Sequence, residues 1–150
     1  MASPESSAIR NFLKKNMTAQ KPGQTIEEVR QAFEEFSSMI PVAPDIKVEK
    51  VSVEGLPSEW VSAPNADSDM VLLYLHGGAY IMGSCSTHRY LAAKLSRASA
   101  AKVLVIDYRL APEHPYPAAL EDAVTAYRWL VSSEHSPEQI AVGATLPAED

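Results

Sequence analysis

The 150-residue chain is 46% hydrophobic and 21% charged, the composition of one ordinary globular domain. Its net charge of -6, from 13 basic and 19 acidic residues, excludes the basic face that nucleic acid or an anionic lipid surface requires. A single cysteine excludes an internal disulfide, and His76, His88, His114 and His135 show no ligand-like spacing, so neither a metal nor a cofactor is expected. No basic start followed by a long apolar run is present, so the expectation is a chain without signal peptide or integral membrane segment, in the cytoplasm.

Ser3, Pro4 and Glu5 form a helix start: a cap, a proline at the first helical position and an acid favoured by the dipole. Ile9, Phe12, Leu13 and Met17 share one face of that helix. After Lys21-Pro22-Gly23, Thr25 and Glu28 predict a capping box for a second helix, with Ile26, Val29, Phe33, Phe36 and Ile40 at spacings of three and four. Pro41 and Pro44 stop it, which sets residues 1–44 apart as a helical segment before a domain over 45–150.

Ile46 to Val53 alternates with a phase slip near Glu49 that predicts a bulge, and Trp60-Val61 reads as a short second strand, the two forming an antiparallel leading edge. The polar run from Pro64 to Asp69 is a turn into Val71-Leu72-Leu73-Tyr74-Leu75, which is apolar on both faces and reads as a buried parallel strand. This strand drops into His76-Gly77-Gly78-Ala79-Tyr80. Consecutive glycines let backbone N–H groups approach an anion, such as a developing oxyanion, and they equally suit a tight turn of purely structural use. The dinucleotide spacing and the phosphate-loop lysine are both missing, which leaves nucleotide binding as a weak third reading.

Cys85 falls in a Gly-Ser-Cys-Ser loop, as an accessible thiol or an incidental small residue. Thr87 is the expected cap of a helix carrying Tyr90, Leu91, Leu95 and Ala98, which crosses to a strand over Val103 to Ile106. Asp107, Tyr108 and Arg109 at that strand's end, and Glu113 beside His114 in a proline-rich loop, are polar clusters for which scaffold or chemistry is open. Pro117 opens a helix expected to face the sheet with Leu120, Val124, Tyr127, Leu130 and Val131, and Pro137 to Gly143 reads as the next buried strand.

Together, HGGAY and the run Val103 to Asp122, VLVIDYRLAPEHPYPAALED, resemble the hormone-sensitive-lipase-like (GDXG-type) branch of the α/β-hydrolase superfamily, bacterial-type carboxylesterases with HGGG or HGGA before an exposed serine. The resemblance runs from about Met1 to Gly143. It implies a three-layer α/β fold with a mostly parallel sheet, in which the strand from Val71 lies between those from Val103 and Gln139. It further implies an oxyanion hole at Gly78 and Ala79 with help from Gly77, bracing of that loop by His76, Tyr80, Asp107, Tyr108, Arg109 and Glu113, and a lid over residues 1–44. In that lid Phe33, Phe36 and Met39 are the candidate acyl-facing side chains, and the substrate class is a short acyl ester or a lactone.

The sequence departs from that pattern after Gly143. The family continues into a Gly-Asp-Ser-Ala-Gly-Gly elbow, whereas Ala144-Thr145-Leu146-Pro147 stands here, with Leu146 in the serine register. Thr145, one residue earlier, has no glycine two positions on, and no serine nucleophile, acid or histidine completes a triad within the 150 residues. The expectation is a truncated or frame-shifted hydrolase, inactive alone, with a non-catalytic acyl-binding or regulatory protein as the alternative. An interior strand left at a sheet edge over Gln139 to Val142 also predicts homo-association through that edge.

Overall fold

The computed structural model describes residues 23–133 and 135–145. The predicted helix from Ser3 and the residues Leu146, Pro147, Glu149 and Asp150 lie outside them. Helix α1 spans Ile26–Ser38, strands β1 to β3 span Lys47–Val53, Leu56–Ser62 and Asp67–Leu75, and helix α2 spans Cys85–Ser99. Strand β4 (Ala101–Ile106), helix α3 (Ala118–Ser132), a 3-10 turn at Pro137–Gln139 and strand β5 (Ile140–Ala144) complete the order.

The five strands stand in the order β1-β2-β4-β3-β5, with β3 parallel to both its neighbours, as the resemblance implies. Successive residues of the two inner parallel strands point to opposite faces, and each face has its own apolar cluster. Val71, Leu73, Leu104 and Ile106 pack with Ala126 and Leu130 of α3, while Tyr74, Val103 and Val105 pack with Ala92 and Ala93 of α2. Helix, sheet and helix are therefore the three layers. Each fully buried Leu or Ile in them contributes about 1.5–3 kcal/mol of transfer free energy.

Helix α1 starts as its sequence predicts: the Glu28 N–H donates to Thr25 Oγ1 at 3.2 Å and the Thr25 N–H to Glu28 Oε2 at 2.8 Å. Helix α2 is capped by Ser84, not Thr87. Thr87 instead sits three residues into the capping box, its Oγ1 accepting the Ser84 N–H at 2.8 Å, so of two hydroxyl residues three apart the earlier one takes the cap. Cys85 is the first residue of α2, buried, with its thiol donating to the Val105 carbonyl at 3.3 Å and its acidity reduced by burial.

Three expectations fail for physical reasons. The register of β1 on β2 runs unbroken from Lys47↔Ser62 to Val53↔Leu56, so there is no bulge at Glu49. Most of β1 is exposed on both faces, which makes the phase slip cheap; the irregularity lies between Asp67 and Val71, where β3 joins β4. The face of α3 is rotated from the predicted stripe. Ala118, Asp122, Ala126 and Leu130, spaced by four, turn to the protein, while Leu120 is 55% exposed and Val124 and Val131 each 39%. A buried carboxylate decides this rotation, because Asp122 must meet Arg109. Finally, β5 is not buried as predicted: it pairs with β3 alone among the described residues, and Val142 is 57% exposed.

Candidate active site

The carboxyl end of β3 delivers His76 into the interior, where it is buried. Its ring stacks on Tyr108, centroids 4.1 Å apart and planes 14° from parallel, and Nδ1–H donates to the Gly77 carbonyl at 2.9 Å. The Nε2 atom is buried and has no hydrogen-bond partner among the described residues. Burial holds the imidazole's pKa below its ordinary value, so the ring is neutral near pH 7.

Beyond His76 the backbone enters the left-handed region at Gly78 (φ +130°), Ala79 (+53°), Tyr80 (+62°) and Gly83 (+98°). Glycine accepts that freely, but Ala79 and Tyr80 each cost roughly 1–2 kcal/mol, so the conformation must be enforced. The loop does part of this itself, with the Ile81 and Met82 N–H groups both donating to the Gly78 carbonyl at 3.0 and 3.1 Å. A Cβ at Gly78 would overlap the Met82 carbonyl, and one at Gly83 would overlap the Gly77 carbonyl and the His76 ring.

The rest comes from the next parallel strand. Tyr108 O–H donates to the His76 carbonyl at 2.6 Å, and the Ala111 N–H to the Tyr80 carbonyl at 2.8 Å. Asp107 accepts the Cys85 N–H at 2.5 Å, tying β4 to the start of α2. Arg109 is turned away from the loop: its guanidinium meets Asp122 at 2.8 Å and Glu121 at 3.1 Å. Glu113 is held by Arg30 of α1, whose Nη1 and Nη2 reach it at 2.9 and 2.8 Å, and that guanidinium pulls the carboxyl down to about 2.

The sequence pattern assigns no site role to Arg30 or Glu34, and His88 enters it only as a histidine without ligand-like spacing. Arg30 also donates to the carbonyls of Ile81 (2.6 Å) and Ala111 (2.8 Å), while Glu34, one turn on, accepts from the Ser84 and Ser86 hydroxyls. An Arg and a Glu four apart, flanking Phe33, were the available signal. Phe33 packs inward, edge-on to His88 with centroids 6.1 Å apart, whereas Phe36 and Met39 are 39% and 76% exposed.

Of the three candidate donors, the Gly77 N–H is occupied, donating to His88 Nε2 at 3.2 Å. The N–H groups of Gly78 and Ala79 make no hydrogen bond among the described residues. Beside them, at the end of β5, the Thr145 hydroxyl is hydrogen-bonded to Tyr74 O–H, and a Cβ at Gly77 would come within 3.1 Å of Thr145 Cβ. Two free adjacent amides at the end of a central parallel strand can stabilise an anion. Among the described residues no group of three His, Cys, Asp or Glu is placed to hold a metal ion, and no helix is long and apolar enough to cross a membrane.

A three-layer sheet with a glycine loop after its central strand is the architecture of the α/β-hydrolase fold, and residues 72–144 match that family. The chain is 38% identical over 146 residues to an acetyl-hydrolase of Streptomyces hygroscopicus, covering 95% of this chain and 46% of that protein. It is also 38% identical over 128 residues to the esterase LipI of Mycobacterium tuberculosis, covering 81% of this chain and 38% of that one. A crystal structure of an esterase from the bacterial hormone-sensitive lipase family superposes at a TM-score of 0.87 with 42% identity, covering 96% of this chain and 48% of the other. This chain belongs to the hormone-sensitive-lipase-like α/β-hydrolases, and it spans less than half the length of these relatives.

Proposed function

We propose that the chain carries the oxyanion-stabilising part of a carboxylic-ester hydrolase acting on short acyl esters or lactones. The observation that supports this is the pair of N–H groups on Gly78 and Ala79, unengaged among the described residues, in a loop whose unfavourable backbone is held by Tyr108, Ala111 and Arg30. As a nucleophile adds to an ester carbonyl, negative charge develops on its oxygen. Donors fixed beforehand at that point lower the barrier, each by about a hundred- to a thousand-fold in rate. Under this reading residues 1–44 form a lid segment, with Phe36 and Met39 facing the acyl group and Phe33 turned inward.

The nucleophile is a separate matter. No serine in these 150 residues stands in a Gly-x-Ser-x-Gly stretch, and the Thr145 hydroxyl is taken up by Tyr74. This 150-residue polypeptide is therefore expected to bind an oxyanion stand-in without turning over an aryl acetate. Leu146 in the serine register favours a second reading, a non-catalytic acyl-ligand-binding protein with the same loop.

Amide NMR with a short alkylphosphonate tests the site. Saturable shifts at Gly78 and Ala79, and much smaller ones at Gly77, are expected; a titration that leaves Gly78 and Ala79 unmoved defeats the ester reading. Aryl-acetate turnover that survives repurification and vanishes in Thr145→Ala would make Thr145 the nucleophile.

A further inference from the structure

We propose that His88 is a positioning residue for the oxyanion loop, withdrawing the Gly77 amide as the neutral Nδ1–H tautomer so that Gly78 and Ala79 are the donors presented. The inference rests on the reading of Gly78 and Ala79 as an oxyanion hole and adds the group that selects them.

The hydrogen bonds around the ring admit one proton arrangement. Gly77 can only donate, so His88 Nε2, 3.2 Å away, must be an acceptor. The proton of a neutral ring then sits on Nδ1, which faces Thr87 Oγ1 at 2.9 Å. That hydroxyl accepts the Ser84 N–H at 2.8 Å and donates its own O–H to the Ser84 carbonyl at 2.9 Å, so it has a lone pair left for His88. A relay of donors thus runs from Gly77 through His88 and Thr87 to the first turn of α2, with every member satisfied.

The packing keeps the ring in place. Phe33 of α1 meets it edge-on, Tyr74 of β3 lies 6.2 Å away, and His76 lies 5.4 Å away, centroid to centroid. The ionisable groups facing it are His76 and Tyr74, with Glu34 of α1 as the nearby acid. Burial first, and then the neighbouring His76, push the His88 pKa down to about 4, against smaller opposing contributions from the Ser84 backbone and then Glu34. Protonation would turn Nε2 from acceptor into donor, pointing a second N–H at the Gly77 N–H.

The test uses the 15N-labelled 150-residue chain. Long-range imidazole correlations should put the His88 proton on Nδ1 at pH 7, and the Gly77 amide shift should titrate with the ring as the pH falls through about 4. In His88→Phe, which keeps a ring but no acceptor, Gly77 amide exchange should quicken by about tenfold. His88→Gln restores an acceptor and should return it towards the wild-type rate, while the core Leu73 amide stays unchanged in both. A proton on Nε2, or Gly77 exchange indifferent to His88→Phe, overturns the proposal; if His88→Phe does not fold, the wild-type tautomer and titration decide. None of these readouts involves an acyl ligand. A confirmed tautomer with no phosphonate response at Gly78 and Ala79 would sink the ester reading, and the reverse pattern would sink only the role of His88.

Discussion

Two loops leave adjacent parallel strands at the same end of the sheet, and they are built in opposite ways. The loop after β3, residues 76–84, has three glycines, two non-glycine residues at positive φ and, at Gly78 and Ala79, two backbone donors without a partner among the described residues. The loop after β4, residues 107–117, has three prolines, and its side chains are committed: Asp107 to Cys85, Tyr108 to His76, Arg109 to Asp122 and Glu113 to Arg30. A backbone anion site needs a segment with few side chains in the way, and such a segment holds its own shape only in part, here through the Ile81 and Met82 N–H bonds to the Gly78 carbonyl. The second loop, with Arg30 of α1, supplies further restraint, so the glycine segment and much of what holds it come from different stretches of chain.

The largest expected break in this division is Gly83→Val. Its Cβ would overlap the Gly77 carbonyl and the His76 ring at a φ of +98°, so a loss of at least about 3 kcal/mol by chemical denaturation is expected. An unchanged midpoint would mean that Gly83 does not pack on Gly77 and His76 as described.

The next test is acid. His88 has a folded pKa near 4 against an ordinary 6.5, so the unfolded chain takes up the proton first and stability falls between pH 6.5 and about 4. Relative to His88→Gln, the wild type should lose about 2 kcal/mol across that window, after allowing for the ring's residual solvent contact. Parallel stability curves for the two proteins would contradict a buried neutral ring.

Tyr108→Phe separates the loops more gently. It keeps the ring stacked on His76 but leaves the His76 carbonyl without its 2.6 Å donor, at a cost of about 1–2 kcal/mol. Broadened Gly78 and Ala79 amide signals should accompany the loss; sharp, unshifted signals would remove Tyr108 from the restraint.

The smallest effect on stability is expected at the sheet edge. Val142→Lys places a charge on an exposed side chain of β5, so stability to chemical denaturation should change by no more than about 0.5 kcal/mol. Ile140→Lys should instead destabilise, because Ile140 packs against the β3 core. If the two variants behave alike, the edge has been misassigned.

The sequence by itself determined the elements whose signals are local. The Thr25–Glu28 box, the apolar run into His76-Gly77-Gly78 and the strand-helix-strand crossover are each written within a few residues, and parallel pairing with a right-handed crossover leaves few sheet orders to choose among. The tertiary structure decided whatever depended on a partner far along the chain. Asp122 turns α3 because Arg109 waits for it thirteen residues away, and Arg30 reaches 81 and 83 residues ahead to Ala111 and Glu113. Which of three neighbouring amides is engaged was decided by His88, eleven residues beyond Gly77. Periodicity reports which face of an element is apolar, and a hydrogen bond to a distant residue leaves no period to read.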